Sequence, residues 1–216
     1  IKEITHEVLT KYLSQTHTEA PGFPFLLKKV EKIMSTTAWN ITQFYQKSPF
    51  VPLGYEISFE EGGDFPPIQL EIEGTKVVLR GKVDRADIWR TDQGNFICVV
   101  DYKSGSKNID FSEILCGVQI QLPVYIKAVC ESLSKKEGVK AIPAAMLYYK
   151  LDSPIISADR NISDEQIMEE LQKKLKMQGL SLEHEAINKS INTVFAVKSL
   201  ASAKEIDKIC EYAFSQ

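Results

Sequence analysis

Val99-Val100-Asp101-Tyr102-Lys103-Ser104-Gly105 is the stretch on which the reading of this chain turns. The apolar run Phe96-Ile97-Cys98-Val99-Val100 leads into it, as expected of a strand buried on both faces. The turn residues Asp92-Gln93-Gly94-Asn95 come just before, so the pattern predicts a strand over Phe96–Lys103. Residues two apart on a strand share a face, so Asp101 and Lys103 project together where the strand leaves the core. A carboxylate there can hold a hard cation, and an ammonium beside it can stabilise a phosphate's charge or position a water. A surface ion pair at a strand end would use the same two residues, and the stretch alone leaves both readings open.

One step back in the sequence lies Arg80-Gly81-Lys82-Val83-Asp84-Arg85-Ala86-Asp87. It puts a second acidic residue into a strand-like segment one hairpin before Asp101, which is what a divalent-metal site needs. Asp84 and Asp87 are three apart, so a regular strand sends them to opposite faces. Asp84 is taken as the inward one, and Asp87 is expected on the surface, paired with Arg85 or Arg90. Gly81 would allow a bulge or a close backbone approach.

Further outward, Ile1–Leu13 carries apolar residues at helical spacing, and Phe25–Tyr45 reads as a longer amphipathic helix. Pro21, Gly22 and Pro24 mark the loop between them, and Ser48-Pro49 ends the second helix. Leu53–Phe59 is strand-like, and Ile68–Ile72 with Lys76–Trp89 suggests a hairpin turning near Glu73-Gly74. A helix is expected from about Ser112 to Leu133, a strand over Ala141–Leu151, a capped helix over Ser163–Met177 and a last helix over Ser199–Phe214. The order predicts an α/β protein with a mixed central sheet flanked by helices. We read residues 1–216 as a single domain with a helical N-terminal part (1–48), a catalytic core (49–151) and a helical C-terminal part (160–216).

Composition narrows the field. The chain is 44% hydrophobic and 25% charged, with a net charge of -3, whereas a free nucleic-acid module is usually basic. Any DNA path is therefore a local patch, or other subunits deliver the strand. No apolar run reaches the roughly 18 residues of a membrane span, and no signal peptide is visible. Cys98, Cys116, Cys130 and Cys210 are scattered without a C-x-x-C pair, which disfavours zinc or disulfides and suits packing residues in a reducing cytoplasm. The start at Ile1 suggests a fragment of a longer chain. No G-x-x-x-x-G-K-[ST] loop is present, so the chain is not itself expected to be an ATPase.

Gly81-x-x-Asp84-Arg85-x-Asp87, Asp101-Tyr102-Lys103-Ser104 and Gly117-x-x-x-Gln121-x-x-x-Tyr125, in this order, resemble the RecB-type nucleases of the PD-(D/E)XK superfamily. Among these, the pattern is most similar to the C-terminal nuclease domain of the AddB/RexB subunits of bacterial helicase–nuclease complexes. Thr5-His6-Glu7-Val8-Leu9 resembles that family's histidine helix, Phe50-x-Pro52-x-Gly54-x-Glu56-x-x-Phe59 its first strand, and Lys176–Leu180 a segment after its core. The likeness covers nearly the whole chain.

The resemblance implies a restriction-endonuclease-like core and a metal-dependent DNA exonuclease acting in double-strand break repair and recombination. It implies His6, Asp84, Asp101 and the backbone carbonyl of Tyr102 as metal ligands, and Lys103 as the group that orients water and stabilises the transition state. Glu56 matches an acidic position that could bind metal through water, although an exposed strand glutamate needs no special explanation. Gln121 and Tyr125, with Gly117 a turn earlier, would form one helix face able to hold Lys103, water or a phosphate. Pro123 inside that helix would remove a hydrogen bond at a cost of about 3 kcal/mol and kink the face.

Magnesium is the expected ion, with manganese as a substitute, because a histidine ligand is less usual for magnesium than oxygen. The implied substrate is single-stranded DNA, and the implied partner is an AddA/RexA-like helicase–nuclease subunit. An iron–sulfur cluster, frequent in AddB proteins, is not expected in this fragment, because no cluster signature surrounds Cys210. Two rivals stay open: a catalytically silent DNA-binding or scaffold module of the same fold, and a stand-alone nuclease.

Overall fold

The computed structural model describes residues 2–16, 22–72, 74–105, 109–156, 163–183, 187 and 195–201. Two helices open the chain, α1 (Lys2–Thr16) and α2 (Phe23–Lys47). Pro24 falls in the first turn of α2 rather than in the loop before it, a position where its missing N–H costs nothing. Five strands follow: β1 (Val51–Phe59), β2 (Ile68–Ile72), β3 (Thr75–Leu79), β4 (Gly81–Thr91) and β5 (Gly94–Lys103). Then come α3 (Phe111–Leu115), α4 (Gln121–Glu137), β6 (Ala141–Lys150), α5 (Asp164–Lys174), β7 (Met177–Leu182) and β8 (Phe195–Ala201).

Six strands make one mixed sheet in the order β1-β4-β5-β6-β7-β8, with β5–β6 and β7–β8 parallel and the other pairs antiparallel. β2 and β3 pair only with each other, so the expected long strand from Lys76 to Trp89 breaks at Arg80 into two elements of different sheets. β5 and β6 lie centrally and are almost wholly buried, as their unbroken apolar runs require. Alternate residues of these strands meet different helices. Tyr149 approaches Asn40 of α2, whereas Asp101 meets Gln121 of α4. The two helices thus cover opposite faces of the sheet.

Three expectations change. The helix from Ser112 to Leu133 is two helices, separated by a turn in which Gly117 adopts φ +72°. Gly117 therefore ends α3 instead of extending the Gln121/Tyr125 face, with its N–H donating to the Ile114 carbonyl. Pro123 sits in the first turn of α4, where backbone N–H groups have no intrahelical partner, so it neither breaks nor kinks the helix.

The third change concerns the C-terminal part. It is not all helical: α5 keeps the Ser163/Gln166 capping box but stops at Lys174, and β7 and β8 extend the sheet. Ser199–Ala201, expected in a helix, belongs to β8, and residues 202–216 with Cys210 lie outside the described residues. Cys98 and Cys130 are buried as expected of packing residues, but Cys116 is exposed. Burial pushes the Cys98 thiol's pKa up, so it is inert at neutral pH. No helix among the described residues is long and apolar enough to cross a membrane.

Gly179 marks the tightest contact between β6 and β7. A Cβ there would run into the Met146 carbonyl oxygen and the Leu147 backbone. Gly179→Ala is expected to destabilise the chain by about 1–3 kcal/mol. Urea denaturation measures this, and an unchanged midpoint would mean the strands can separate without cost.

Candidate active site

β4 and β5 diverge at their outer ends, and the acidic residues predicted from the sequence meet there. The Arg85↔Val100 pairing, continued by one residue, sets Asp84 across from Asp101. The Tyr102 backbone N–H donates to Asp84 Oδ2 at 2.8 Å, tying the half-buried Asp84 to the backbone between Asp101 and Lys103. Asp101 is only 1% exposed. Lys103 Nζ lies 2.6 Å from Asp101 Oδ2 and donates to Gln121 Oε1 at 3.0 Å. The Gln121 amide nitrogen in turn faces Asp101 Oδ1 and the Tyr125 hydroxyl, each at 2.9 Å.

Gln121 and Tyr125 are one turn apart at the start of α4, so their relative directions are set by regular helix geometry. Tyr125 is buttressed edge-on by Phe59 at 5.8 Å between ring centroids. Gly81 makes that possible: it pairs with Phe59 across β1 and β4, and a Cβ would sit 2.5 Å from the Phe59 ring. The sequence singled out Gly81 for a close approach, but not the partner.

Lys103 also stands 5.7 Å above the Tyr148 ring. Burial, followed by the nearby Asp101 charge, pushes the Tyr148 phenol up to about 12, so it stays protonated and cannot act as a base at neutral pH. Replacing Gln121 by Leu removes the link between Lys103, Asp101 and Tyr125. Loss of hydrogen bonds to charged groups of this kind costs about 1.5–3 kcal/mol. Turnover should therefore fall roughly 10- to 100-fold, with Tyr125→Phe milder, as steady-state kinetics would show. Equal activity of Gln121→Leu and wild type would remove the amide from the site.

His6 and Glu56 stand differently from the sequence expectation. His6 is 60% exposed and its Nδ1 lies 3.0 Å from Glu31 of α2, while its helix neighbours Ile4 and Thr5 line the cavity that Asp84 borders. The rotation of α1 thus turns His6 towards α2, and the structure does not bring it to the carboxylates. Glu56 lies opposite Asp84 in the β1–β4 register and borders the same cavity, with Oε2 3.2 Å from Lys82 Nζ. Its backbone takes φ +52°, a left-handed value uncommon for a non-glycine residue.

Asp87 is fully buried, not on the surface. Of its two expected partners it has Arg85, whose Nε donates to its carboxylate at 2.9 and 3.1 Å. Both side chains are 0% exposed. The Arg85 guanidinium lies 5.2 Å from the Phe44 ring and 4.9 Å from the Tyr45 ring, and Tyr45 donates to Asp87 at 2.7 Å. Arg85 also reaches the Tyr102 hydroxyl at 3.4 Å, so this cluster backs the strand segment that holds the site. Burial opposes the Arg85 charge, yet Asp87 raises its pKa above the ordinary arginine value. The sequence reading missed this cluster, although residues 85 and 87 share a strand face and Arg-x-Asp was a visible signal.

The donor chemistry can be tested against a cation. Among the described residues no group of three or more His, Cys, Asp or Glu side chains is gathered to hold a metal. The nearby donors are the Asp84 and Asp101 carboxylates and the Tyr102 backbone. Magnesium fits such a set, since it keeps several waters and is usually held by one or two carboxylates plus substrate phosphates.

The helix-flanked mixed sheet, with two carboxylates and a lysine where β4 and β5 diverge, defines a restriction-endonuclease-like α/β fold. The chain belongs to the PD-(D/E)XK nuclease superfamily, whose family model matches residues 1–212. It is similar to the B-subunit of the ATP-dependent helicase/deoxyribonuclease of Clostridium acetobutylicum, at 36% identity over 190 residues, covering 88% of this chain and 16% of that protein. The protein of the same name from Caldanaerobacter subterraneus subsp. tengcongensis is 32% identical over 209 residues, covering 96% of this chain and 17% of its own length. That from Ruminiclostridium cellulolyticum is 33% identical over 209 residues, covering 96% of this chain and 18% of its own. The chain spans about one-sixth of the length of these relatives.

Proposed function

We propose that this domain hydrolyses phosphodiester bonds of single-stranded DNA with magnesium, as the exonuclease part of an AddAB/RexAB-type helicase–nuclease in double-strand break repair. The observation that carries the reading is the linked set Asp84, Tyr102 N–H, Asp101, Lys103 and Gln121 at one strand end. The names of the similar proteins support a helicase-coupled role, with an AddA/RexA-like partner in the cytoplasm supplying the motor. The net charge of -3 fits a domain to which a partner protein delivers the strand.

Asp84 and Asp101 would hold the cation, with the Tyr102 carbonyl as a further oxygen donor. A bound magnesium or manganese ion supplies Lewis-acid polarisation of a phosphoryl oxygen and makes water a stronger acid. Lys103 presents its ammonium to the reacting phosphate and offsets the charge that builds up in the transition state. Gln121 holds Lys103 in that direction through its carbonyl oxygen and steadies Asp101 through its amide nitrogen. Tyr125 keeps the amide from rotating. His6 has no part in this scheme unless α1 turns.

The test is digestion of end-labelled single-stranded DNA by the purified chain with magnesium, manganese or EDTA. Lys103→Ala protein prepared identically controls for contaminating nuclease. Cleavage that needs the metal and is lost in the variant is the expected result. A folded protein that cuts with neither metal and binds neither would favour the silent-scaffold reading.

A further inference from the structure

A cavity of about 500 Å³ opens between the α1–α2 pair and the end of the sheet. Ile4, Met34, Ala38 and Ile41 give it apolar walls, and Tyr102 adds an aromatic one. At one side it is bordered by Asp84 and Glu56. Its size is in the range of small-molecule sites, and its character is mixed: apolar over most of the surface, acidic at one edge.

Two features tie it to the candidate active site. Tyr102 lies between Asp101 and Lys103, and its N–H is the group that holds Asp84. Glu56, opposite Asp84, keeps a left-handed backbone that glycine would adopt more easily. Strain of this sort costs roughly 1–3 kcal/mol, and such outliers cluster where a ligand is clamped.

A phosphate repelled by the acidic edge would approach it only through a cation, whereas the apolar chamber beyond suits a neutral, planar, unpaired ring. We propose that this cavity receives one nucleobase of a single-stranded DNA substrate, next to the phosphate presented at Asp84. The inference rests on the nuclease reading and deepens it. Insertion of one base would hold the backbone in register beside Asp101 and Lys103 and exclude duplex DNA, whose bases are stacked and paired. The walls carry few polar groups to read base edges, so the pocket would accept any base, as aromatic stacking sites do.

The experiment uses the full chain and single-stranded oligonucleotides carrying one 2-aminopurine at successive positions, bound with calcium in place of magnesium. Acrylamide quenching should show one position shielded several-fold more than its neighbours. Ala38→Trp, which fills the chamber from α2, should abolish that shielding and weaken binding roughly ten-fold. An abasic residue at the shielded position should weaken wild-type binding equally, and this arm needs no variant to fold. Uniform quenching along the strand, or an Ala38→Trp protein of native circular dichroism that keeps the shielding, would overturn the proposal. So would displacement by free deoxyadenosine monophosphate with no position-dependent shielding, because the cavity would then be a mononucleotide site. The nuclease reading fails separately, if wild type shelters a base but never cuts with magnesium or manganese.

Discussion

Lys103→Ala protein is expected to cleave single-stranded DNA roughly 10²–10³-fold more slowly than wild type, the usual cost of losing one preorganised group that stabilises transition-state charge. Lys103 is 27% exposed on its side chain and is held by Asp101 at 2.6 Å and Gln121 at 3.0 Å. Its ammonium is therefore fixed in place before substrate arrives, and its charge acts in a partly desolvated site where it is worth more than in water. Lys103→Arg should recover little, because a planar guanidinium cannot replace a compact ammonium between a carboxylate and an amide oxygen. Single-turnover cleavage with saturating magnesium isolates the chemical step from metal binding. An Ala variant within three-fold of wild type would remove Lys103 from the reaction. Unfolding curves must accompany the assay, since the substitution leaves the buried Asp101 without its ammonium partner.

Asp87→Ala is expected to destabilise the fold by about 3–5 kcal/mol, because it strands the Arg85 charge in the interior. Both groups are 0% exposed, and the nearest alternatives for Arg85 are aromatic rings and the Tyr102 hydroxyl. Replacing the pair together, Arg85→Met with Asp87→Leu, should recover most of the loss, since well-packed apolar residues often match or exceed a buried ion pair. The pH dependence follows from the sign of the shift. The folded-state pKa of Arg85 is raised, so its contribution is fully present below the ordinary arginine range and is lost only as pH climbs through the folded value. The penalty should thus be constant across neutral pH. Urea unfolding of the two proteins checks this, and a loss under 1 kcal/mol for Asp87→Ala would mean water reaches Arg85.

Much of the fold was legible because its strongest signals are local. The apolar run before Asp101, the Asp92–Asn95 turn and the Ser163 capping box each specify an element through neighbours in sequence, and β5, the β4–β5 turn and α5 are where those signals put them. Asp84, Asp101, Lys103, Gln121 and Tyr125 could be picked out by motif order and are brought together. β7 was not legible. Met177–Leu182 is short and follows directly on a capped helix, and it becomes a strand only because β6 offers it an edge. The Pro123 expectation went astray for a related reason: proline disrupts a helix interior, and where α4 begins depends on the turn made by Gly117.

By itself, then, the sequence determined which segments are strands buried on both faces and which acidic and basic side chains share a strand end, because alternation and helical spacing are properties of the chain alone. Only the tertiary structure decided what those groups touch. Asp87 is driven inside because α2 covers it with Phe44 and Tyr45. His6 is turned to Glu31 by the rotation of α1, and the chamber beside Asp84 exists only where α1 and α2 meet the sheet. These are contacts between residues far apart in the chain, set by how helices pack on a sheet, and no local pattern encodes them.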